Sequence, residues 1–138
     1  MEERIKLGEI NVNFSFHEDY VEGILQFGKI RISSDESKGF RPYELLVSSI
    51  AGCSGAVFYK IIKKQRIKLE SFEMDVEVGR NKEKANKIEK MILHFKVKGM
   101  DLNEHRLQRN LIIARKNCAM IRSIEESIHV EEKLTILK

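Results

Sequence analysis

The stretch from Pro42 to Arg66 constrains the fold more than any other part of the sequence, because it holds the one proline and the longest apolar run. Proline is favoured in the first turn of a helix, where its missing N–H would have no partner. The basic residues near the end of the stretch, Lys63 and Lys64 among them, favour a helix C-terminus through the helix dipole. We therefore predict one helix of roughly 35 Å.

The predicted helix is apolar on more than one side. One stripe consists of Leu46, Ile50, Cys53, Val57 and Ile61, and a second of Val47, Ala51, Phe58 and Ile62. Small residues fill the segment from Ser48 to Ala56, and each of its two glycines costs about 1 kcal/mol relative to alanine. Close packing would offset that cost, so we expect a central helix buried all round, in contact with a second subunit. We expect its apolar part to be too short for a membrane span.

Length and composition indicate a single domain over residues 1–138. The net charge is only +4, and acidic residues alternate with the basic ones, so charge runs are expected to be solvated surface. No secretory signal is recognisable, which favours the cytoplasm. In that compartment the two cysteines are expected to be reduced or redox-active.

Period-two alternation on both sides of the helix predicts strands. Three short runs between Ile10 and Ile32 predict an antiparallel meander. Two longer runs, Phe72–Val78 and Met91–Val97, present acidic and basic outer faces, as paired strands of a hairpin would. A second helix is expected to begin near Asp101, with Glu104 completing a capping box. A closing strand is expected from the alternation of Ile128, Val130, Leu134 and Ile136, and the order of elements predicts an α+β fold.

The two cysteines are the candidates for chemistry. Cys53 lies in the middle of the first helical stripe, and Cys118 continues a second stripe that Asn117 would interrupt. A buried free cysteine often serves only as a small apolar side chain, but two core-facing stripes could bring the thiols together. The four histidines lack the spacing of metal ligands, so we expect neither a metal nor a cofactor.

Two segments carry a resemblance to a known family. The segment from Arg41 through Pro42 and Glu44 to Cys53, and the segment Ala114–Ala119 around Cys118, resemble the two cysteine regions of the OsmC/Ohr family of organic hydroperoxide-handling proteins. The resemblance implies an OsmC-like fold in which antiparallel sheets surround a long central helix. It also implies an intertwined homodimer.

The resemblance further implies a thiol-dependent peroxidase that reduces organic hydroperoxides. Cys53 would attack the peroxide, Cys118 would resolve the product to a disulfide, and a lipoyl-type dithiol would reopen it. Peroxidatic members have an activating arginine in the N-terminal strands and a glutamate directly after the proline. Here Tyr43 follows the proline, so Arg41 and Glu44 are the nearest supporting candidates. Without an adjacent cation, the pKa of a thiol in apolar surroundings is expected to be raised.

Two alternatives remain open. The chain could be a non-catalytic, stress-related module of this fold that binds a small apolar ligand and lacks the activating arginine. A less favoured alternative is nucleic-acid binding through a basic patch, and the sequence favours neither a nucleic-acid nor a membrane partner. That patch would consist of Lys60, Lys63, Lys64, Arg66 and Lys68.

Overall fold

The structure is a computed structural model, and it describes residues 5, 7, 8, 10 and 12–138. The described residues form a mixed α+β fold with two three-stranded sheets and three α-helices, which confirms the predicted fold class. A 3₁₀ turn lies in the second sheet's hairpin. The elements in chain order are β1 Asn13–Phe16, β2 Val21–Ile24, β3 Lys29–Ile32, α1 Pro42–Lys64, β4 Ser71–Asn81, β5 Lys87–Lys98, α2 Glu104–Lys116, α3 Ala119–Ile124 and β6 His129–Ile136.

The chain divides after Leu45 into two compact units. The N-terminal unit contains the predicted meander, in which β1 pairs with β2 and β2 with β3, both antiparallel. Phe14 lies opposite Gly23, and a Cβ at Gly23 would come within 3.0 Å of the Phe14 ring. The single domain expected over residues 1–138 stays a prediction.

The C-terminal unit contains the second sheet. Strands β4 and β5 form the predicted hairpin, an ion pair joins Lys96 to Asp75 across it, and His94 Nε2 lies 2.6 Å from Glu77 Oε2. Strand β6 pairs with β5 in parallel, so the expectation of wholly antiparallel sheets is wrong for this edge. The reason is the connection, because α2 and α3 carry the chain back before β6 begins, as a parallel neighbour requires.

Helix α1 forms where the sequence predicted it and ends through backbone geometry. Arg66 adopts a left-handed conformation with φ of 59°. The N–H of Ile67 then donates to the carbonyl of Ile62 at 3.1 Å, and the N–H of Arg66 donates to that of Lys63 at 3.0 Å. These contacts satisfy carbonyls that would otherwise lack partners at the helix end.

The burial of α1 is one-sided within the chain, so the expectation of burial all round, which included a second subunit, stays a prediction. Its buried residues are Ile50, Ser54, Phe58 and Ile62, four positions apart. Tyr59, in contrast, is 49% exposed. By length and composition α1 could also cross a membrane, and the expectation that its apolar part is too short does not hold. The core helix of a soluble protein passes the same test.

Aromatic rings join α1 to the second sheet. Phe58 is fully buried, and its ring meets those of Phe72 and Phe95 edge-on, with centroids 5.5 and 5.3 Å away. Phe72 and Phe95 stack on each other at 5.7 Å. Edge-on and stacked pairs add to the free energy that aromatic burial already provides. This cluster holds the middle of α1 against β4 and β5.

The start of α2 differs from the prediction. The N-cap is Asn103, whose side chain accepts a hydrogen bond from the N–H of Arg106 at 3.0 Å. Asp101 instead has a φ of 54° in the preceding turn, so it forms no capping box with Glu104. The apolar stripe predicted for this helix is buried. As expected, the helix is interrupted at Asn117, where α2 ends and α3 follows.

We expect Phe58→Ala to lower the free energy of unfolding by about 3–5 kcal/mol, because it leaves a cavity beside the two remaining rings, Phe72 and Phe95. Urea denaturation followed by circular dichroism measures the change. Phe27→Ala removes a fully exposed ring and is the matched control, with an expected cost of less than about 0.5 kcal/mol. Equal costs for both substitutions would contradict this description of the core.

Candidate thiol site

The two cysteines lie on different elements of the C-terminal unit. Cys53 occupies the middle of α1 and is partly exposed, whereas Cys118 is fully buried. Cys118 is the N-cap of α3, directly after the Asn117 residue that ends α2. The break between these helices therefore places a thiol at the start of a new helix.

The structure brings the two thiols into hydrogen-bond contact. The thiol of Cys118 donates to Cys53 Sγ, and so do the backbone N–H groups of Met120 and Ala119 in the first turn of α3. Backbone N–H groups at the start of a helix have no partner within the helix. Here they point at a sulfur atom on another helix, where they stabilise negative charge.

These contacts lower the pKa of the Cys53 thiol. The N–H of Met120 is the largest cause, burial opposes it, and the Cys118 thiol and the N–H of Ala119 add to the lowering. The expectation of a raised pKa in the absence of an adjacent cation is therefore wrong for Cys53. Hydrogen bonds to the thiolate do what a neighbouring positive charge does in other reactive thiols.

The partner thiol shifts in the opposite direction. Burial is the main reason that the pKa of Cys118 is raised, and its contact with Cys53 adds to the rise, while the N–H of Ile121 opposes it. The site therefore holds one thiol whose pKa is lowered beside one whose pKa is raised. A protonated thiol can donate to the thiolate and can later provide a second sulfur for a disulfide.

The other two sequence-derived candidates lie in the N-terminal unit and pair with each other. Arg41 Nε is 3.1 Å from Glu44 Oε1, and Arg41 Nη2 donates to the hydroxyl of Tyr43 at 2.6 Å. The guanidinium also lies over the Tyr43 ring, 4.8 Å from its centroid. Tyr43 thus shares the arginine with the acidic residue that follows it.

The sequence analysis missed a buried carboxyl group, Glu132, which bonds to the residue directly after Cys53. Ser54 Oγ donates to Glu132 Oε2 at 2.8 Å, and Arg115 Nη1 lies 3.8 Å from Glu132 Oε1. The Glu132 side chain is only 5% exposed, and burial raises its pKa. A signal existed, because Glu132 falls on the inward side of the alternation between Val130 and Leu134.

Two clefts of the C-terminal unit border the helices that carry or flank the cysteines. One of about 500 Å³ is bordered by α2, α3 and β6, and Arg115 and Glu132 are on its wall. The other, of about 300 Å³, runs along the small side chains of α1 beside Phe72 and Met74. Among residues 12–138 and the few described before them, no group of three or more His, Cys, Asp or Glu side chains is placed to hold a metal.

We expect Cys118→Ala to raise the pKa of Cys53, because one of the donors to its thiolate is lost. At neutral pH alkylation of Cys53 by iodoacetamide should slow by about two- to tenfold, as the thiolate fraction falls. The ultraviolet absorbance of the thiolate, recorded against pH, measures the shift. In Cys118→Ser, which keeps a hydroxyl donor, the pKa of Cys53 should lie between those of the wild type and Cys118→Ala. An unchanged or lower pKa of Cys53 in Cys118→Ala would refute the contact between the thiols.

Glu132 makes stability depend on pH in a defined direction. Because its pKa is raised above 4.5, the folded protein binds this proton more tightly than the unfolded chain does. The contribution of Glu132 to the free energy of unfolding is therefore fully present below pH 4.5, and it is lost as the pH rises through the pKa of the folded state. Relative to Glu132→Gln, the wild type should lose free energy of unfolding over that range, as urea titrations at several pH values will measure.

The neighbouring carboxylate provides the control for that titration. The pKa of Glu131 is lowered, first by His129 and then by Lys90. Its contribution is therefore present above the unfolded pKa and is lost as the pH falls. Glu131→Gln and Glu132→Gln should change the pH dependence with opposite signs, and the same sign for both would contradict the burial of Glu132.

Comparison with known proteins identifies relatives of the whole fold. The family model described as OsmC-like protein matches residues 34–133. An OsmC-like protein from Mycoplasma pneumoniae superposes with a TM-score of 0.81 at 16% identity, covering 95% of this chain and 99% of that one. No curated protein matches the sequence significantly.

Two further solved structures have names that state a role. An organic hydroperoxide resistance protein OsmC from Legionella pneumophila has a TM-score of 0.68 at 18% identity, covering 97% of this chain and 100% of that one. OhrB of Bacillus subtilis, also an organic hydroperoxide resistance protein, has a TM-score of 0.63 at 18% identity, with 96% and 100% covered. At these identities the structures establish a shared fold. Because the family model spans most of the sequence, the chain belongs to the OsmC-like protein family.

Proposed function

We propose that the protein is a thiol-dependent peroxidase that reduces organic hydroperoxides, with Cys53 as the attacking residue and Cys118 as the resolving residue. The observation that carries the proposal is the contact between a partly exposed thiol of lowered pKa and a buried thiol that donates to it. Membership of the OsmC-like family and the hydroperoxide-resistance names of two similar structures support the same chemistry.

The reaction has two steps at these sulfur atoms. The Cys53 thiolate attacks the terminal oxygen of the hydroperoxide, the O–O bond breaks, and the alkoxide leaves as an alcohol after taking a proton. Cys53 is then a sulfenic acid. The Cys118 sulfur attacks the Cys53 sulfur, a disulfide forms, and the hydroxyl group leaves with the thiol proton as water. A lipoyl-type dithiol reduces the disulfide and is itself oxidised.

The exposure of each thiol supports the division of roles. A substrate from solution can reach Cys53, which is partly exposed, but it cannot reach Cys118 at 0% exposure. A thiolate is the nucleophilic form, and Cys53 is the thiol whose pKa is lowered. Cys118 interacts directly with the sulfur it would attack, which supports its role as the resolving residue.

The surroundings of α1 favour an apolar substrate and a second copy of the chain. Small residues, including Gly52 and Gly55, line the 300 Å³ cleft together with Phe72 and Met74.

A Cβ at Gly52 would meet no atom of this chain within 4 Å, and Tyr59 nearby is half exposed. A homodimer that packs against this face would offset the cost of the two glycines. The proposal includes one domain over residues 1–138 and a cytoplasmic location that keeps the thiols reduced.

Treatment of the reduced protein with stoichiometric cumene hydroperoxide tests the function. We expect rapid loss of two thiols and a Cys53–Cys118 disulfide, both quantified by thiol titration and peptide mass spectrometry. Cys53→Ser should not react, and Cys118→Ser should stop at a sulfenic acid that dimedone traps. Dihydrolipoamide should restore both thiols in the wild type.

Survival of both thiols in excess peroxide would overturn the peroxidase and favour a binding module for a small apolar ligand. Arg41→Ala and Glu44→Gln test the two supporting candidates in the same assay. If they assist the attack, each will slow the peroxide reaction. If they do not, the rates will equal that of the wild type, and the arginine pair will have no part in the chemistry.

We expect Gly52→Leu to dissociate the homodimer, because the larger side chain would occupy the surface against which the second copy packs. Sedimentation velocity measures the mass of the species in solution. Gly28→Leu is the matched control, since a Cβ there also meets no atom within 4 Å and Gly28 belongs to the other compact unit. A monomeric wild type, or a dimeric Gly52→Leu variant, would refute this part of the proposal.

A further inference from the structure

A buried hydrogen bond joins the cysteine-bearing part of α1 to β6. Ser54 follows Cys53 directly and is 0% exposed. Its hydroxyl donates to Glu132 Oε2 at 2.8 Å across 78 residues of sequence. Glu132 is the residue of β6 that pairs with Leu93 in the neighbouring strand, so the bond ties α1 to the sheet at one defined register.

The same carboxylate extends the connection to the segment before the second thiol. Arg115, in the last turn of α2, lies 3.8 Å from Glu132 Oε1 and donates to the Val130 carbonyl at 2.7 Å. Arg115 precedes Cys118 by three residues. The network therefore connects the residue after one thiol and the helix end before the other through a single strand.

We propose that Ser54 and Glu132 are positioning residues that hold Cys53 against the N–H groups of Ala119 and Met120 and against the Cys118 thiol. The inference rests on the proposed use of Cys53 as the nucleophile. Neither residue touches the reacting sulfur through its side chain, so each acts through the placement of α1. The distance between the sulfur and its donors then depends on the Ser54–Glu132 bond.

The energetics of burial support a role beyond packing. A buried carboxyl group is costly, and apolar side chains often fill such a position with equal or greater stability. A hydrogen bond, however, fixes the relative orientation of the two elements that it joins, whereas apolar contacts do not. Hydrogen bonds are steeply sensitive to distance and angle, so a small rotation of α1 would weaken the donors to Cys53.

The position of Glu132 offers a way to separate geometry from charge. The charged groups that line the same cleft as Glu132 are Arg115 and Lys116 from α2, Arg122 from α3 with Glu125 directly after it, and Glu131 and Lys133 on the same strand as Glu132. Glutamine at position 132 keeps an oxygen that accepts from Ser54 but removes the negative charge. Alanine removes both. If Glu132 acts by positioning, the alkylation midpoint of Cys53 should change in Glu132→Ala but not in Glu132→Gln. If Glu132 acts through its charge, the midpoint should change equally in both variants.

The experiment measures the alkylation rate of Cys53 by iodoacetamide against pH in the full-length protein, with peptide mass spectrometry to assign the modified cysteine. Ser54→Ala and Glu132→Ala should raise the midpoint and slow the reaction at neutral pH by about three- to tenfold. Glu132→Gln should stay close to the wild type. The matched controls Ser49→Ala, on an exposed part of α1, and Glu131→Gln should leave the midpoint unchanged.

An unchanged midpoint in Ser54→Ala, or equal effects of Gln and Ala at position 132, would overturn the inference. Circular dichroism and urea denaturation identify any variant that fails to fold, and Ser54→Ala, a small change within a helix, keeps the test decisive if Glu132→Ala does not fold. Iodoacetamide reacts with a thiolate whether or not the protein reduces peroxides. The outcome is therefore separate from that of the peroxide assay.

Discussion

The hydrogen bonds between Cys53 Sγ and the first turn of α3 are the interaction on which the proposed chemistry depends. A thiol in the middle of an apolar helix would normally resist ionisation, because burial disfavours the charged form. Here the N–H groups of Met120 and Ala119 and the Cys118 thiol converge on the sulfur and lower its pKa. This convergence requires the helical stripe of α2 to be interrupted at Asn117, so that a new helix begins beside α1. The lowered pKa of Cys53 is therefore explained by these donors without an adjacent arginine.

Much of the fold could be predicted because its signals are local. Proline at the start and basic residues at the end bounded α1, and strict alternation marked the β4–β5 hairpin. The break at Asn117 could also be anticipated, and it turned out to be central to the site. The two cysteines were identified as candidates from stripes that were predicted to face the core; Cys118 is buried, Cys53 is partly exposed beside the buried face of α1, and the two thiols interact.

The remaining features depend on groups that a sequence pattern does not mark. The donors from Ala119 and Met120 are backbone atoms, which every residue except proline has, so the side chains there gave no indication of an anion-stabilising site. The Ser54–Glu132 bond joins residues 78 apart, and only the inward position of an acidic residue in β6 hinted at it. The parallel direction of β6 followed from the path of two helices rather than from its alternation. Asn103 replaced Asp101 as the cap because Asp101 lies in a left-handed turn.

The most direct test of the central claim follows the amide resonances of Ala119 and Met120 by nuclear magnetic resonance as the pH is raised. Ionisation of a sulfur that accepts from these N–H groups should shift both resonances together. We predict a common midpoint below 9.0, the ordinary value for the thiol, and no such transition in Cys53→Ser. Resonances that do not respond, or a midpoint at or above 9.0, would contradict the account, because α3 would then not be the group that stabilises the Cys53 thiolate.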